Sequence, residues 1–245
     1  MVMLKEKERI DDLHRNNLKI IQHPRYFSFG MDAVLLAAFC KVHKNERHID
    51  LCCGGGVIPL LLSARNTGAA SFSGIEIQQD LADMAVRSVA LNGLEDKITI
   101  HHGDVKASLD IFEQASFHVV TVNPPYMQEG SGEKNINREF AIARHEIMCS
   151  LDDVIKAAAS LLNYGGRFYM VHRPGRLADI ICSLRRYNME PKTLRLVQPN
   201  ACCPPNTLLI MAAKGGKPHL NIEKPLVVYD DKGQYTDEVR RIYYE

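Results

Sequence analysis

Four consecutive residues, Asn123-Pro124-Pro125-Tyr126, bring a side-chain amide, a proline carbonyl and an aromatic ring into one short bend. They follow the apolar run Phe117 to Val122, and two prolines can neither continue a sheet nor sit inside a regular helix, so the chain must stop and turn there. An amino group conjugated to a flat ring or an amide is a poor nucleophile because its lone pair is delocalised. If its two N–H groups donate to Asn123 Oδ1 and the Pro124 carbonyl, the nitrogen is steered toward a pyramidal shape with its lone pair free to attack an activated methyl group. Tyr126 can stack on a planar acceptor. The competing reading is a rigid proline turn carrying a surface tyrosine.

A second constellation lies upstream. Asp50-Leu51-Cys52-Cys53-Gly54-Gly55-Gly56 ends an apolar run in glycines, which let the backbone turn tightly and approach a ligand at the N-terminus of the helix that follows. A glycine-rich turn alone is also an ordinary strand-to-helix connection. Glu76, roughly 20 residues past the glycines at the end of the next strand, tips the balance toward a nucleoside cofactor, because its carboxylate can accept from both ribose hydroxyls. Asp104, in Gly103-Asp104-Val105, can accept from an adenine amino group or cap the next helix. Asp32 can line the cofactor pocket or cap a helix over Ala33 to Phe39, and His145 can orient a substrate group or simply pack.

The elements that must position these residues alternate. Strands are predicted at Arg47 to Cys53, Ser71 to Ile77, Ile98 to His102, Phe117 to Val122 and Arg167 to His172. Helices are predicted at Val57 to Ala64, Gln79 to Asn92 (with Leu81, Met84, Ala85, Val86 and Val89 apolar), Leu151 to Leu162 and Arg176 to Tyr187, the third ended by Gly165-Gly166. Alternation of this kind implies a parallel sheet with its ligand site at the carboxyl ends of the strands. Lys192 to Val197 and Thr207 to Ala212 have no helix between them and predict an antiparallel hairpin closing the sheet edge. The expectation is a seven-stranded, mostly parallel α/β sheet with helices on both faces, which resembles the class I methyltransferase fold. Residues 1–40 are expected to be an extension packing on the core, and residues 41–245 the catalytic domain.

Composition sets the outer limits. The 245 residues, 46% hydrophobic and 24% charged, suffice for one large domain. No apolar run reaches the roughly 18 residues of a membrane span and the N-terminus lacks a signal-peptide core, so a soluble, cytoplasmic protein is expected. The seven cysteines include no C-x-x-C spacing, which predicts reduced thiols and no metal site. A net charge of +1 neither demands nor excludes a nucleic acid.

The glycine turn resembles the methyltransferase motif Asp-x-Gly-x-Gly-x-Gly, with Cys52 where the first glycine is usual. A cysteine is acceptable there if its backbone angle is ordinary. Across nearly its whole length the sequence resembles the valine-tRNA adenine N6-methyltransferase family. The likeness runs from Leu18-Lys19-Ile20-Ile21-Gln22 and Asp32-Ala33-Val34-Leu35-Leu36, through both motifs, to Ala143-Arg144-His145-Glu146, His172-Arg173-Pro174 and Tyr229 to Tyr235. It is weaker at Gln198 to Asn206, where Cys202-Cys203-Pro204-Pro205 departs from the pattern.

The resemblance implies S-adenosylmethionine held by Asp50, Cys52, Gly54, Gly56, Glu76, Asp104 and Asn123. It also implies catalysis by Asn123, Pro124 and Tyr126 on adenosine 37 in a tRNA anticodon stem-loop. Pro125, Tyr126, Arg138, Arg144 and Arg173 are the expected substrate contacts, with Arg176 a further candidate for phosphate, although scattered arginines are common on any surface. A ribosomal-RNA guanine N2-methyltransferase and a release-factor glutamine N5-methyltransferase share the tetrapeptide. The latter family usually carries a helical domain before the glycine motif, which some fifty residues cannot supply. A non-catalytic module that binds the cofactor or RNA would not need both Asn123 and Tyr126.

Overall fold

The structure is a computed structural model that describes residues 2–26, 28–65, 68, 70–124 and 149–244. The seven expected strands all form: β3 (Arg47–Leu51), β4 (Ser71–Glu76), β5 (Ile98–His102), β6 (Phe117–Val122), β7 (Leu162–His172), β8 (Met189–Gln198) and β9 (Thr207–Lys214). Their order across the sheet is β8-β9-β7-β6-β3-β4-β5. Among these strands β9 runs antiparallel to its neighbours. The C-terminal hairpin lies at one end of this seven-strand order, its second strand β9 pairing with β7 and its first strand β8 lying outside it. The two-residue strands β10 (Asn221–Ile222) and β11 (Leu226–Val227) then cover β8 in parallel register and bring the sheet to nine strands.

Both faces are covered, which is why the central strands read as near-continuous apolar runs. On one face α1 (Met31–Phe39), α2 (Val57–Arg65) and α6 (Asp237–Tyr244) pack over Val119, Tyr169, Val171 and Leu209. On the other, α4 (Leu151–Leu161) and α5 (Leu177–Arg186) pack over Val120, Val122, Phe168 and Met170. The alternation of these strand residues between the two clusters is the period of two expected of β-structure. Helix α2 is buried along Val57 to Ser63, and its Pro59 is tolerated because the first turn has no intrahelical acceptors for its N–H groups. Helix α4 starts on a capping box, with Ser150 accepting from the Asp153 amide and Asp153 accepting from the Ser150 amide.

Several expectations need correcting. Gly165-Gly166 does not end α4. The helix stops at Leu161, Leu162 is already extended, and the chain enters β7 directly. The glycines instead lie in the stretch where β7 slips register against β6, pairing Leu162 with Phe117 but Arg167 with Val119, and Gly165 supplies the left-handed turn (φ +77°) that slip needs. Val86, one of the apolar positions of α3 (Gln79–Leu91), is 49% exposed. Asp32 does not cap α1: the N-cap is Gly30 without a side-chain bond, and the Asp32 carboxylate lies 3.9 Å from the Arg173 guanidinium.

Outside the sheet, β1 (Arg9–Asp12) and β2 (Lys19–Gln22) form an antiparallel hairpin. It docks on α3, where Ser88 Oγ accepts from the Ile21 amide (2.9 Å), and Asn92 accepts from the Lys19 amide and donates to the Lys19 carbonyl. At the other end of the sequence, Tyr229, Tyr235 and Tyr243 stack in succession, with ring centroids 5.3 and 5.5 Å apart. The stack holds α6 against α1, with Val239 fully buried. Arg15 and Arg65 donate to the Ile242 carbonyl (2.9 and 3.0 Å), satisfying acceptors the last turn of α6 leaves open. Among the described residues no helix is long and apolar enough to cross a membrane.

Candidate active site

Strand register lines the candidate residues along one edge of the sheet. Leu51 pairs with Ile75 on one side and Val122 on the other, and Glu76 pairs with His102. The residues just beyond these ends are Cys52, Asn123 and Gly103-Asp104. With adjacent strands about 4.8 Å apart, the glycine turn has Asn123 one strand away and Glu76 one strand away on the opposite side. Asp104 follows one strand further on.

The turn is held by its neighbours. The Cys53 amide donates to the Ile75 carbonyl (3.0 Å), and the Gly54 amide donates to Glu76 Oε2 (2.9 Å). Glu76 Oε1 accepts from the Gln78 amide (2.9 Å). Glu76 is 5% exposed, and no ion pair to it occurs among the described residues. Two backbone N–H groups thus stabilise the buried carboxylate, and each oxygen keeps a further lone pair for an incoming hydroxyl. Gly54 (φ +53°) has no heavy atom of the described residues within 4 Å of where a Cβ would stand, so among them that face of the turn is open to a ligand. Gly56 (φ +81°) is different: a Cβ there would lie 3.2 Å from the Ala85 Cβ, so this glycine lets the turn close onto α3. A ribose with vicinal hydroxyls fits these groups.

Cys52 contradicts the expectation of an ordinary backbone angle. Its φ is +58°, in the left-handed region that explains why glycine is usual there. A side chain costs about 1–2 kcal/mol in that conformation. Asp104 caps the turn Val105–Asp110 by accepting from the Lys106 amide (2.9 Å), with its other oxygen 3.7 Å from Lys106 Nζ.

Asp50 is buried at the root of the turn, and sequence reasoning missed what holds it. Thr121 Oγ1 donates to Asp50 Oδ1 (2.6 Å), and Thr121 Oγ1 in turn lies 2.8 Å from His48 Nε2. With the threonine's one proton given to Asp50, this second bond takes its proton from His48 Nε2, in the tautomer that carries it there. Burial pushes Asp50 up to about 8, against the pull of the Thr121 bond and with a further push from Glu76. Burial lowers His48 to about 3, so it stays neutral. The signal was present in the sequence: His48 and Asp50 share one face of β3, where a fully buried strand should be apolar.

Asn123 is half-buried and Pro124 buried directly after β6. Pro125, Tyr126, Arg138, Arg144 and His145 lie outside the described residues. Arg173, at the carboxyl end of β7, donates to the Asn206 carbonyl (2.9 Å) and Thr207 Oγ1 (3.1 Å), and Arg176 pairs with Asp179 (2.8 Å). Their neighbour His172 accepts from the Arg173 amide at Nδ1 (2.8 Å), and burial with Arg176 and Arg173 nearby lowers it to about 4. The edge therefore combines an open glycine turn, a ribose-type acceptor and an amide–proline pair, an arrangement suited to bringing a methyl donor against an amine.

Comparison with known proteins agrees. A tRNA1(Val) (adenine(37)-N6)-methyltransferase of Dickeya chrysanthemi is 26% identical over 218 residues, covering 87% of this chain and 85% of that protein. One of the same name from Haemophilus influenzae is 26% identical over 213 residues, covering 85% and 86%. Among solved structures, a protein described as a predicted O-methyltransferase of Agrobacterium tumefaciens superposes with a TM-score of 0.71. It is 24% identical and covers 87% of this chain and 95% of that one, a likeness of fold. Residues 17–179 match the model of the methyltransferase small domain, and the chain therefore belongs to that family of S-adenosylmethionine-dependent methyltransferases.

Proposed function

We propose that this enzyme methylates the exocyclic N6 of adenosine 37 in the anticodon loop of a valine tRNA. The observation that carries the reaction type is the in-register neighbourhood of Asn123-Pro124 and the glycine turn across β6 and β3. The substrate rests on likeness to relatives named for that activity over some 85% of both chains. When bound, S-adenosylmethionine supplies an electrophilic methyl on a sulfonium sulfur that leaves as a neutral thioether. Glu76 accepts the ribose hydroxyls, and Asp104 receives the adenine amino group at the oxygen not engaged in capping. Asn123 Oδ1 and the Pro124 carbonyl would accept the two N–H bonds of the target amine and leave its lone pair free to take the methyl group. The methylated nitrogen then loses one proton to water.

An anticodon-loop base suits such a site because it is unpaired, so extruding it costs less than flipping a duplex base. The test is transfer of labelled methyl to bacterial tRNA lacking the modification, followed by nucleoside mass spectrometry and sequencing of the labelled tRNA. Labelled N6-methyladenosine at position 37 is expected. Asn123→Ala should lower the single-turnover rate by about 10²–10³ while cofactor binding stays largely intact. Label appearing instead in ribosomal-RNA guanine or release-factor glutamine would overturn the substrate.

A further inference from the structure

On the sheet face covered by α1, α2 and α6, the helices leave a cleft of about 950 Å³, within the roughly 300–1,000 Å³ usual for small-molecule sites. Its walls are apolar: Leu35 and Phe39 of α1, Tyr169 of β7, Leu209 and Met211 of β9, and Leu226 of β11. Its charges are mostly of one sign. Arg195 is answered by Glu238 (2.7 Å) and Glu223 (3.9 Å), which also line the cleft. Arg15, Lys41, Arg65 and Arg241 have no carboxylate within ion-pair distance among the described residues. Helix α2 starts directly after the glycine turn and ends at Arg65, so at 1.5 Å per residue this arginine stands about 12 Å further along the helix, toward the amino ends of the strands and away from Asn123.

Arg15 and Arg65 converge on one acceptor. Each donates from a terminal nitrogen to the Ile242 carbonyl (2.9 and 3.0 Å), and Arg15 adds a longer bond to the Arg241 carbonyl (3.4 Å). Two guanidiniums carry far more N–H donors than two carbonyls can take, and Arg15 Nε is buried with no partner among the described residues. Like charges held this close oppose each other: burial lowers Arg15, and burial together with the Arg15 charge lowers Arg65 to about 10. An oxyanion beside them satisfies the open donors and cancels the repulsion, and the planar guanidinium fork matches phosphate and carboxylate in shape. We propose that the cleft binds a small organic oxyanion, its phosphate or carboxylate held by Arg15 and Arg65 and its apolar body laid on Tyr169, Leu209 and Met211. The apolar floor separates this ligand from an RNA backbone, which needs only the charges.

The probe is anilinonaphthalene sulfonate, a fluorescent anion with a flat apolar body, titrated into the full chain and then displaced with decyl phosphate, decanoate, inorganic phosphate or tRNA. Single-site dye binding is expected, reversed by decyl phosphate or decanoate at concentrations at least about tenfold below that of inorganic phosphate; the more effective of the two names the headgroup. Arg65→Gln keeps a donor for the Ile242 carbonyl but removes the charge, and should weaken dye binding about tenfold, the worth of one charge-assisted hydrogen bond. Ala38→Trp fills the cleft from the α1 wall with every charge in place and should weaken it at least as much. Both variants should keep the parent's S-adenosylmethionine affinity in calorimetry, and Arg65→Gln carries the test if Ala38→Trp does not fold. Absence of single-site binding, equal dye affinity in the parent and Arg65→Gln, or inorganic phosphate acting as well as the decyl compounds overturns the site. Displacement by tRNA but by neither decyl compound makes the cleft an RNA surface and overturns it too.

Discussion

Gly74 sits in the middle of β4, between Asp50 of β3 and Ile100 of β5, directly beneath the glycine turn. A Cβ at this position would lie 2.7 Å from Cys53 Sγ, 2.8 Å from Ile100 Cδ1 and 3.1 Å from the Cys53 Cβ. Ordinary carbon contacts are about 3.5–4.0 Å, so each neighbour must retreat by roughly 1 Å. Ile100 can do so by turning its terminal methyl. Cys53 cannot move independently: it is 4% exposed, its amide is bonded to Ile75, and the next amide is bonded to Glu76. Overpacking of this kind costs about 1–3 kcal/mol, partly offset by the 0.5–1 kcal/mol that alanine gains over glycine in a strand. For a chain of this length each kcal/mol corresponds to about 2–4 °C. Gly74→Ala should therefore lower Tm by several degrees in a thermal melt and weaken S-adenosylmethionine binding in the same protein. Cys53→Ala in that background removes the 2.7 Å contact and should recover part of both losses, a coupling a double-mutant cycle reads directly. An unchanged Tm in Gly74→Ala, or strictly additive effects with Cys53→Ala, would refute the reasoning.

Replacing Asp50 by asparagine tests the buried chain through pH. The folded Asp50 value, raised to about 8 from 3.8, means that its contribution to stability is fully present below about 4 and lost as pH rises through 8. His48, lowered to about 3 from 6.5, acts in the opposite sense, losing stability as pH falls from 6.5 toward 3. Between pH 6.5 and 8 the Asp50 effect stands alone, so cofactor-free Asp50→Asn should gain on the parent by up to roughly 1.4 kcal/mol per pH unit; parallel stability curves in denaturant would sink this. Glu76→Gln exchanges an acceptor for a donor in a carboxylate that already takes two amides, and should weaken S-adenosylmethionine by about 1–3 kcal/mol in calorimetry with little change in single-turnover rate at saturation. An unaltered affinity would remove Glu76 from the ribose site.

The central strands were legible because a strand buried on both faces must be largely apolar along its length, as Phe117 to Val122 is. Glu76 at the end of β4 and Asn123-Pro124 directly after β6 were legible for the related reason that breakers and charges mark where such runs end. What escaped was set by contacts between distant segments. His48, Thr121 and Asp50 are individually unremarkable until β3 and β6 pair. The β1–β2 hairpin was missed because its strands are mostly polar, although Asn16-Asn17 between them, both at positive φ, is a turn signal that could have found it. Gly165-Gly166 was misassigned because a helix stop and a strand bulge both favour glycine. The angle of Cys52 could not be read at all, since a cysteine in a glycine position looks like evidence for a relaxed turn.

The docking of α6 has a consequence for how the chain reaches this state. Arg15 bonds a carbonyl 227 positions away, and Val239 completes a cluster that already contains Leu13, Ile20 and Leu36. Closing so long a loop carries a large entropic toll before any contact compensates it, which marks high contact order and slow folding. On the ribosome, the part of α1 that α6 covers stays open until residues past 239 emerge, so that patch is vulnerable to self-association at least until this helix has been made.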